Sequence, residues 1–201
     1  MAQTKVVNET ILDYANKISR SKRGTKGEVQ PEWAEYRILE AVLTTEMAQV
    51  GNCLELRNPK SAAEIAAQCG KPAEEVAKLL WDMAVLGAAF VMDVDGVDKY
   101  WHDIWVPGHM EMIVNGKHDP ATHAVVCECF DTYGKRRGPM GAGNFPVGLG
   151  PMRVIPIERS IMGETRKASW EEVSSILNGS HRFSVSNCSC RTSREAMGED
   201  R

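Results

Sequence analysis

The spacing of apolar residues predicts a short helix near the start of the chain, followed by a linker. Asn8 is a suitable capping residue for a helix over residues 8–19. The apolar face of this helix has four members: Ile11, Leu12, Ala15 and Ile18. Residues 21–30 are polar and basic and contain two glycines, which is typical of a linker. We therefore expect the first compact domain to begin near Pro31.

Three further helices are predicted, and a tight turn joins the second of them to the third. Over residues 36–50 apolar side chains recur at intervals of three and four, which predicts one continuous helix. Ser61 and Glu64 form a capping box that opens the second helix, and Gly70 ends it. A proline suits the first turn of the third helix, which covers residues 72–86.

A β-hairpin is predicted directly after the third helix. Residues 90–94 and 97–101 flank Asp95-Gly96, a turn dipeptide whose backbone twist matches that of a two-residue hairpin loop. A helix, a helix-turn-helix and a hairpin in this order indicate a winged-helix-like domain over residues 32–107. This order is informative about the fold and says little about function.

The second half of the chain is less regular, and its features still mix helix and strand. They are helices at 110–114 and 120–133, a glycine-rich loop at 138–151, a strand at 152–157, and a helix opened by a capping box at Ser169 and ended by Asn178-Gly179. We therefore predict an α+β protein in three parts. They are an N-terminal helix and linker (1–31), the winged-helix-like domain (32–107) and an α+β segment that bears a Cys-x-Cys motif (108–201).

Composition and charge narrow the classes of protein that the chain resembles. Of its 201 residues 43% are hydrophobic and 25% charged, which is ordinary globular usage, and the net charge of -3 provides no overall basic field for nucleic acid or anionic lipid. Residues 1–20 lack the apolar run of a secretory signal. Residues 83–92 form an uncharged, mostly apolar stretch that is about half the length of a membrane-spanning helix. We expect a cytoplasmic protein without a membrane partner.

The charges of the winged-helix-like domain argue against a DNA partner. The helix that would enter the major groove exposes one lysine against three acids: Lys78, Glu74, Glu75 and Asp82. The hairpin tip adds three aspartates and only one lysine. Because contacts to phosphate supply much of the affinity for DNA, we expect a structural or protein-docking role for this domain.

Cysteine is the residue type in this sequence that best suits metal binding or redox chemistry. The six cysteines, two of them single and four in Cys-x-Cys pairs, do not form a secreted disulfide framework. Cys127 and Cys129 lie in a predicted helix, where residues two apart point about 200° away from each other. We expect these two to be buried free thiols, and we expect surface or core roles for the five histidines, which lack metal-ligand spacing.

Cys188 and Cys190 have a setting that suits metal binding. They follow an extended segment, in which residues two apart lie on the same side, and they precede a predicted helix. Amides at the helix start, together with Arg182, Arg191 and Arg194, would favour the thiolate form. Zinc and iron–sulfur sites usually take four protein ligands, so this pair would be half of such a site.

Three stretches resemble the N-terminal region of anaerobic bacterial iron–sulfur oxidoreductases. They are residues 186–199 around Cys-Ser-Cys-Arg, residues 98–108 and residues 143–148. The resemblance implies a 4Fe-4S cluster, with FAD and NAD(P) bound by a downstream ferredoxin and flavin module or by a partner subunit. In that family further cysteines should follow the Met-Gly-Glu triplet, whereas this sequence ends at Arg201. We expect either a fragment of a longer protein or a subunit whose remaining ligands a partner supplies.

The resemblance also implies roles for the individual residues. Cys188 and Cys190 would be thiolate ligands of a cluster used in electron transfer, while Arg191 and Arg194 would tune its charge. This chain alone would not be an active oxidoreductase, and it could form a homo-oligomer. One alternative is a winged-helix transcriptional regulator whose cysteines sense metal or redox state. A second is an interaction module with inert thiols.

Overall fold

The computed structural model describes residues 6–19, 28–137, 174–175, 177–179 and 185–199. In these residues the chain is mixed α+β, which confirms the predicted class. The helices are α1 (Glu9–Ser19), α2 (Ala34–Val42), α3 (Thr45–Gly51), α4 (Ala62–Cys69), α5 (Ala73–Val85), α6 (Met110–Val114), α7 (Pro120–Arg137) and α8 (Ser189–Ala196). The strands are β1 (Lys60–Ser61), β2 (Phe90–Val94) and β3 (Val97–Trp101), which form one antiparallel sheet in the order β1-β3-β2.

The chain divides into two compact units. One unit holds residues 1–136 and 187–201, and the other holds residues 137–186. In the second unit the structure shows helix at 174, 175, 177 and 178 with a turn at Gly179, where the sequence predicts a helix end. The predicted glycine-rich loop at 138–151 and the strand at 152–157 lie outside the described residues. The division of the chain at residues 31 and 107 stays a prediction.

Helix α1 is part of the core of the first unit. Its predicted apolar face packs against α2 and α3 with three residues buried and Leu12 half-buried, and Tyr14 is buried beside it. The Tyr14 hydroxyl donates a hydrogen bond to the carbonyl of Ala88 at 3.0 Å. A Cβ atom at Gly51 would lie 2.9 Å from the Tyr14 ring, so the close approach of α3 to α1 requires a glycine there.

The helix predicted over residues 36–50 is two helices in the structure. Leu43 and Thr44 leave the helical region for extended backbone, with φ/ψ of -110°/144° and -81°/166°. The Thr44 side chain then accepts a hydrogen bond from the backbone N–H of Met47 and so caps α3. Apolar periodicity continues across this break, which is why periodicity alone joined the two helices.

The predicted helix-turn-helix and hairpin are confirmed in detail. Ser61 and Glu64 close a capping box at the start of α4, and Gly70 ends that helix in the left-handed region at φ +65°. Strands β2 and β3 pair in the predicted register around Asp95-Gly96, with Val94 opposite Val97. The short β1, which the sequence analysis missed, pairs with β3 through Lys60 opposite Tyr100.

The connection from the hairpin to α7 packs against the end of α5. A wide helical turn, Trp105–His109, leads directly into α6. Gly87, at φ +76°, lets the turn after α5 contact the backbone of Met112. Asp119 caps α7, because its side chain accepts hydrogen bonds from the backbone N–H groups of Ala121 and Thr122. Among the described helices, none combines the length and the apolar composition that a membrane crossing requires.

Candidate functional site

The two cysteines of the Cys-Ser-Cys motif lie at the start of α8. Cys188 is the residue before the first helical turn and has extended backbone, with φ -70° and ψ 112°. Its carbonyl accepts hydrogen bonds from the N–H groups of Arg191 and Thr192, each at 2.9 Å. Cys190 belongs to the first turn itself, and both cysteine side chains are exposed. The predicted order of extended chain followed by a helix is confirmed, but the helix begins at Ser189, which is bonded to α6, so the extended geometry expected for Cys190 is wrong.

A buried serine between the two cysteines holds the start of α8 against α6. Ser189 donates a hydrogen bond to the carbonyl of Glu111 at 3.1 Å and accepts one from the Asn115 side chain at 2.8 Å. The same amide of Asn115 donates to the carbonyl of Asn187 at 3.1 Å. With Ser189 turned inward, its two cysteine neighbours remain exposed. The sequence analysis missed Ser189 and Asn115, since no local signal connects residues more than seventy positions apart.

The helix start favours the thiolate form of Cys188. The backbone N–H of Arg191 lowers the pKa of Cys188 below its ordinary value. The N–H of Cys190, the charge of Arg191 and the Cys190 thiol, which donates toward the Cys188 sulfur, lower the pKa further. Since Cys188 does not close a capping hydrogen bond with its own side chain, these N–H groups act on the sulfur as oriented dipoles. A thiolate is the form that a metal or an electrophile requires.

A cavity of about 660 Å³ lies between α7 and α8. Eight described residues line it: Phe130, Asp131, Gly134, Cys188, Cys190, Arg191, Ser193 and Arg194. This volume lies within the range of ligand and cofactor sites in proteins, which is about 300 to 1,000 Å³. The two cysteines and the two arginines that the sequence analysis selected are therefore brought together on one wall.

The two arginines have different surroundings. Arg194 forms ion pairs with Asp131 at 3.3 Å and with Glu199 at 2.8 Å, and the Asp131 side chain is only 4% exposed. The guanidinium of Arg194 therefore joins α8 to α7, and acidic partners offset its charge. Arg191 is exposed and contributes its charge to the environment of the Cys188 sulfur. Of the two predicted charge-tuning residues, Arg191 is the one that acts on a cysteine here.

Cys127 and Cys129 are not part of this wall. Both lie in α7 and are fully buried, as the sequence predicted. Burial raises the pKa of both thiols, that of Cys129 to about 11. The Cys127 sulfur lies 3.6 Å from Nε2 of His123, one helical turn earlier. Neutral buried thiols are poor metal ligands and poor nucleophiles, so these two side chains have the character of core residues.

The described part of the chain holds no group of three or more His, Cys, Asp and Glu side chains arranged around a metal position. Cys188 and Cys190 fit a thiolate-ligated group as two of its donors, because they are adjacent, exposed and at a helix start. A site that takes four protein ligands would need two more.

Helix α5 presents a second exposed surface. Glu74, Glu75 and Lys78 are exposed, and Lys78 forms an ion pair with Asp82 at 2.9 Å. One and two turns beyond Lys78 on the same stripe, Trp81 is 52% exposed and Val85 is 40% exposed. The surface therefore combines acidic groups with apolar ones, and its lysine is paired.

Comparison of the chain with family models, with curated proteins and with solved structures found no match in any of the three.

Proposed function

We propose that this chain supplies Cys188 and Cys190 as thiolate ligands to an iron–sulfur cluster that a partner completes. The observation that carries the proposal is the pair of exposed thiols at the start of α8, on the wall of a cavity. The resemblance of residues 186–199 to iron–sulfur oxidoreductases supports the same conclusion. Within such a complex the cluster would exchange single electrons with the flavin of the larger assembly, because a pyridine nucleotide exchanges hydride rather than single electrons.

The residues of this chain have separate tasks in the proposed site. Amides at the start of α8 and the charge of Arg191 favour the thiolate state and offset negative charge. Ser189 and Asn115 fix the start of α8 on α6, while Arg194 and Asp131 fix α8 on α7. The missing ligands would come from a downstream ferredoxin module, a partner subunit or a second copy of the chain.

The first unit supports a winged-helix assignment as part of this proposal. The order α4, α5, β2, β3, with β1 added to the sheet edge beside β3, is the arrangement expected of such a domain. Helix α5 would occupy the position of the recognition helix. Its exposed carboxylates would repel a phosphate backbone, whereas the exposed Trp81 and Val85 suit contact with a protein. We therefore assign α5 to docking with the partner rather than to DNA.

The topology of the first unit also favours one alternative, a transcriptional regulator whose cysteines sense metal or redox state. The distinguishing measurement is binding to duplex DNA as a function of salt. A regulator should bind with an affinity that falls steeply as salt rises, because it displaces counterions from the phosphates. The proposed docking role predicts no salt-dependent binding.

The proposal is tested by measuring iron, sulfide and zinc per chain after anaerobic purification and reconstitution of the full assembly of this chain and the partner that completes the site. The proposal is supported if the wild type contains iron with matching sulfide and shows a visible charge-transfer band, and if Cys188→Ser loses both. Cys53→Ser is the matched control, since it removes a thiol in the turn after α3 and should leave the iron content unchanged. Unchanged iron in Cys188→Ser would exclude this residue as a ligand. Stoichiometric zinc without iron would favour the regulator.

A further inference from the structure

Two cysteines that are single in the sequence meet in the structure. Cys53 lies in the turn after α3, Cys69 is the last residue of α4, and both are half-buried. The Cys69 side chain interacts with that of Cys53, whose own thiol donates to the carbonyl of Gln49 at 3.7 Å. The Gln68 side-chain amide can be placed in two orientations, and one of them gives both its nitrogen and its oxygen a hydrogen-bond partner. In that orientation the nitrogen donates to the Cys53 carbonyl at 3.2 Å. The end of α4 is thus held against the turn that carries Cys53.

Basic side chains lie around this pair of sulfurs. Lys17 reaches from α1 to donate to the carbonyl of Asn52 at 2.5 Å, next to Cys53. Its ammonium group interacts electrostatically with Cys53 first and with Cys69 more weakly. Lys60, which is ion-paired with Glu55, donates to the oxygen of the Gln68 amide at 2.8 Å. Positive charge therefore lies beside both sulfurs, since Lys17 and Lys71 both act on Cys69 and Lys17 also acts on Cys53.

We propose that Cys53 and Cys69 form a reversible intramolecular disulfide, an oxidation site distinct from the Cys188–Cys190 pair. The pair is placed for a disulfide, since the Gln68 amide holds the end of α4 on the Cys53 carbonyl, the two thiols interact, and both are only half-buried. In a reducing compartment such a pair acts as a redox sensor rather than a structural bond. The proposal does not depend on a cluster being present.

The reaction with oxidised glutathione balances in two steps. The Cys53 thiolate attacks one sulfur of the glutathione disulfide, forming a mixed disulfide and releasing one glutathione thiolate. The Cys69 thiol then loses its proton and attacks the Cys53 sulfur, which releases the second glutathione. The protein loses two protons and two electrons, and one glutathione disulfide becomes two glutathione thiols.

The structure also sets the order of these steps. Burial, the hydrogen bond to Cys53 and the charge of a Cys53 thiolate raise the pKa of Cys69 to about 12, so Cys69 is a poor first nucleophile. Once Cys53 carries glutathione, the thiolate charge is gone and the hydrogen bond to it is weakened. Lys71 and Lys17, which both favour the Cys69 thiolate, remain. Cys53 therefore reacts first and Cys69 resolves the mixed disulfide.

The experiment exposes the reduced full chain to glutathione buffers of increasing oxidised fraction, blocks free thiols and maps tryptic peptides by mass. Trypsin places Cys53 in residues 38–57 and Cys69 in residues 61–78, because Pro72 protects Lys71 from cleavage. The expected product is these two peptides joined, lighter by two hydrogen atoms than their sum, and separated again by excess reduced glutathione. Cys188 and Cys190 lie together in the peptide of residues 183–191, so the mass of that peptide reports their oxidation independently of Cys53 and Cys69.

Two variants test the order of attack. Cys69→Ser should accumulate glutathione on Cys53, whereas Cys53→Ser should leave Cys69 largely as a free thiol. Circular dichroism checks that each variant keeps its helix content. The proposal is overturned if both cysteines of the folded wild type end as separate glutathione adducts, or if either pairs mainly with another cysteine. Metal content plays no part in this readout, so its result is independent of the cluster.

Discussion

The two Cys-x-Cys pairs differ in what their sulfur atoms face. Cys188 precedes a helix start, where backbone N–H groups and the charge of Arg191 lower its pKa. Cys129 lies inside α7, where burial raises its pKa to about 11. The same three-residue pattern therefore lies exposed at a helix start in one case and buried inside a helix in the other, and only the first setting favours a thiolate.

Alkylation should reveal this difference at the level of single residues. With iodoacetamide we expect Cys188 to react much faster than Cys127 or Cys129 near neutral pH. The rate at Cys188 should rise with pH and reach half its maximum below the ordinary thiol value, because its thiolate forms at lower pH. Time-resolved mapping of residues 183–191 and 118–135 gives the rates. The two sets should react alike in denaturant, and equal rates in the folded chain would contradict the prediction.

At the scale of the elements, two helices are followed by glycines that have similar backbone conformations and different surroundings. Gly70 ends α4 at φ +65°, and a Cβ atom there would meet open space. Gly87 follows α5 at φ +76°, and a Cβ atom there would lie 2.2 Å from the carbonyl oxygen of Met112. Both positions favour glycine through their backbone, and the second also needs it for the approach of α6.

Alanine at these two glycines separates the two effects. Gly70→Ala should lower the free energy of unfolding by about 1 to 2 kcal/mol, the usual cost of a left-handed residue with a side chain. Gly87→Ala should cost clearly more, because the Met112 backbone must also move. Urea unfolding followed by circular dichroism measures both. Equal losses would show that α6 yields to the added methyl group without cost.

At the scale of the whole molecule, a buried histidine links the stability of the fold to pH. His109 is fully buried, its Nε2 donates to the carbonyl of Ala88 at 2.9 Å, and its ring contacts Tyr14, Phe90 and Trp105. Burial lowers the pKa of His109 to about 4. The folded chain therefore keeps this ring neutral under conditions in which an unfolded chain would protonate it.

The pH dependence of unfolding should carry the signature of His109. The contribution of His109 to the free energy of unfolding is complete above pH 6.5, the ordinary pKa of histidine. It is lost as the pH falls toward 4, because the unfolded chain then binds a proton that the folded chain does not. The loss amounts to about 3 kcal/mol. His109→Gln should flatten the curve between these values, while His102, whose pKa is also lowered by burial, remains in both proteins. Parallel curves for the wild type and the variant would refute the assignment.

Local signals in the sequence determined much of the first unit. The capping box of Ser61 and Glu64, the stop at Gly70 and the Asp95-Gly96 hairpin each act through hydrogen bonds or dihedral angles within a few residues. Such signals do not depend on distant parts of the chain. Local signals also identified the two cysteines of the candidate site. Cys188 and Cys190 were recognisable because an extended segment there leads into a helix.

Tertiary structure decided whatever depends on contacts between distant residues. Periodicity predicted the apolar face of α1 but not that α2 and α3 would cover it. It also gave no sign of the pairing of β1 with β3 or of the interaction between Cys53 and Cys69. In the site, the Ser189–Asn115 hydrogen bond and the Arg194–Asp131 ion pair form because α8 lies against α6 and α7. Periodicity and caps report the conformation of one segment, whereas these contacts follow from how buried faces of separate segments pack together.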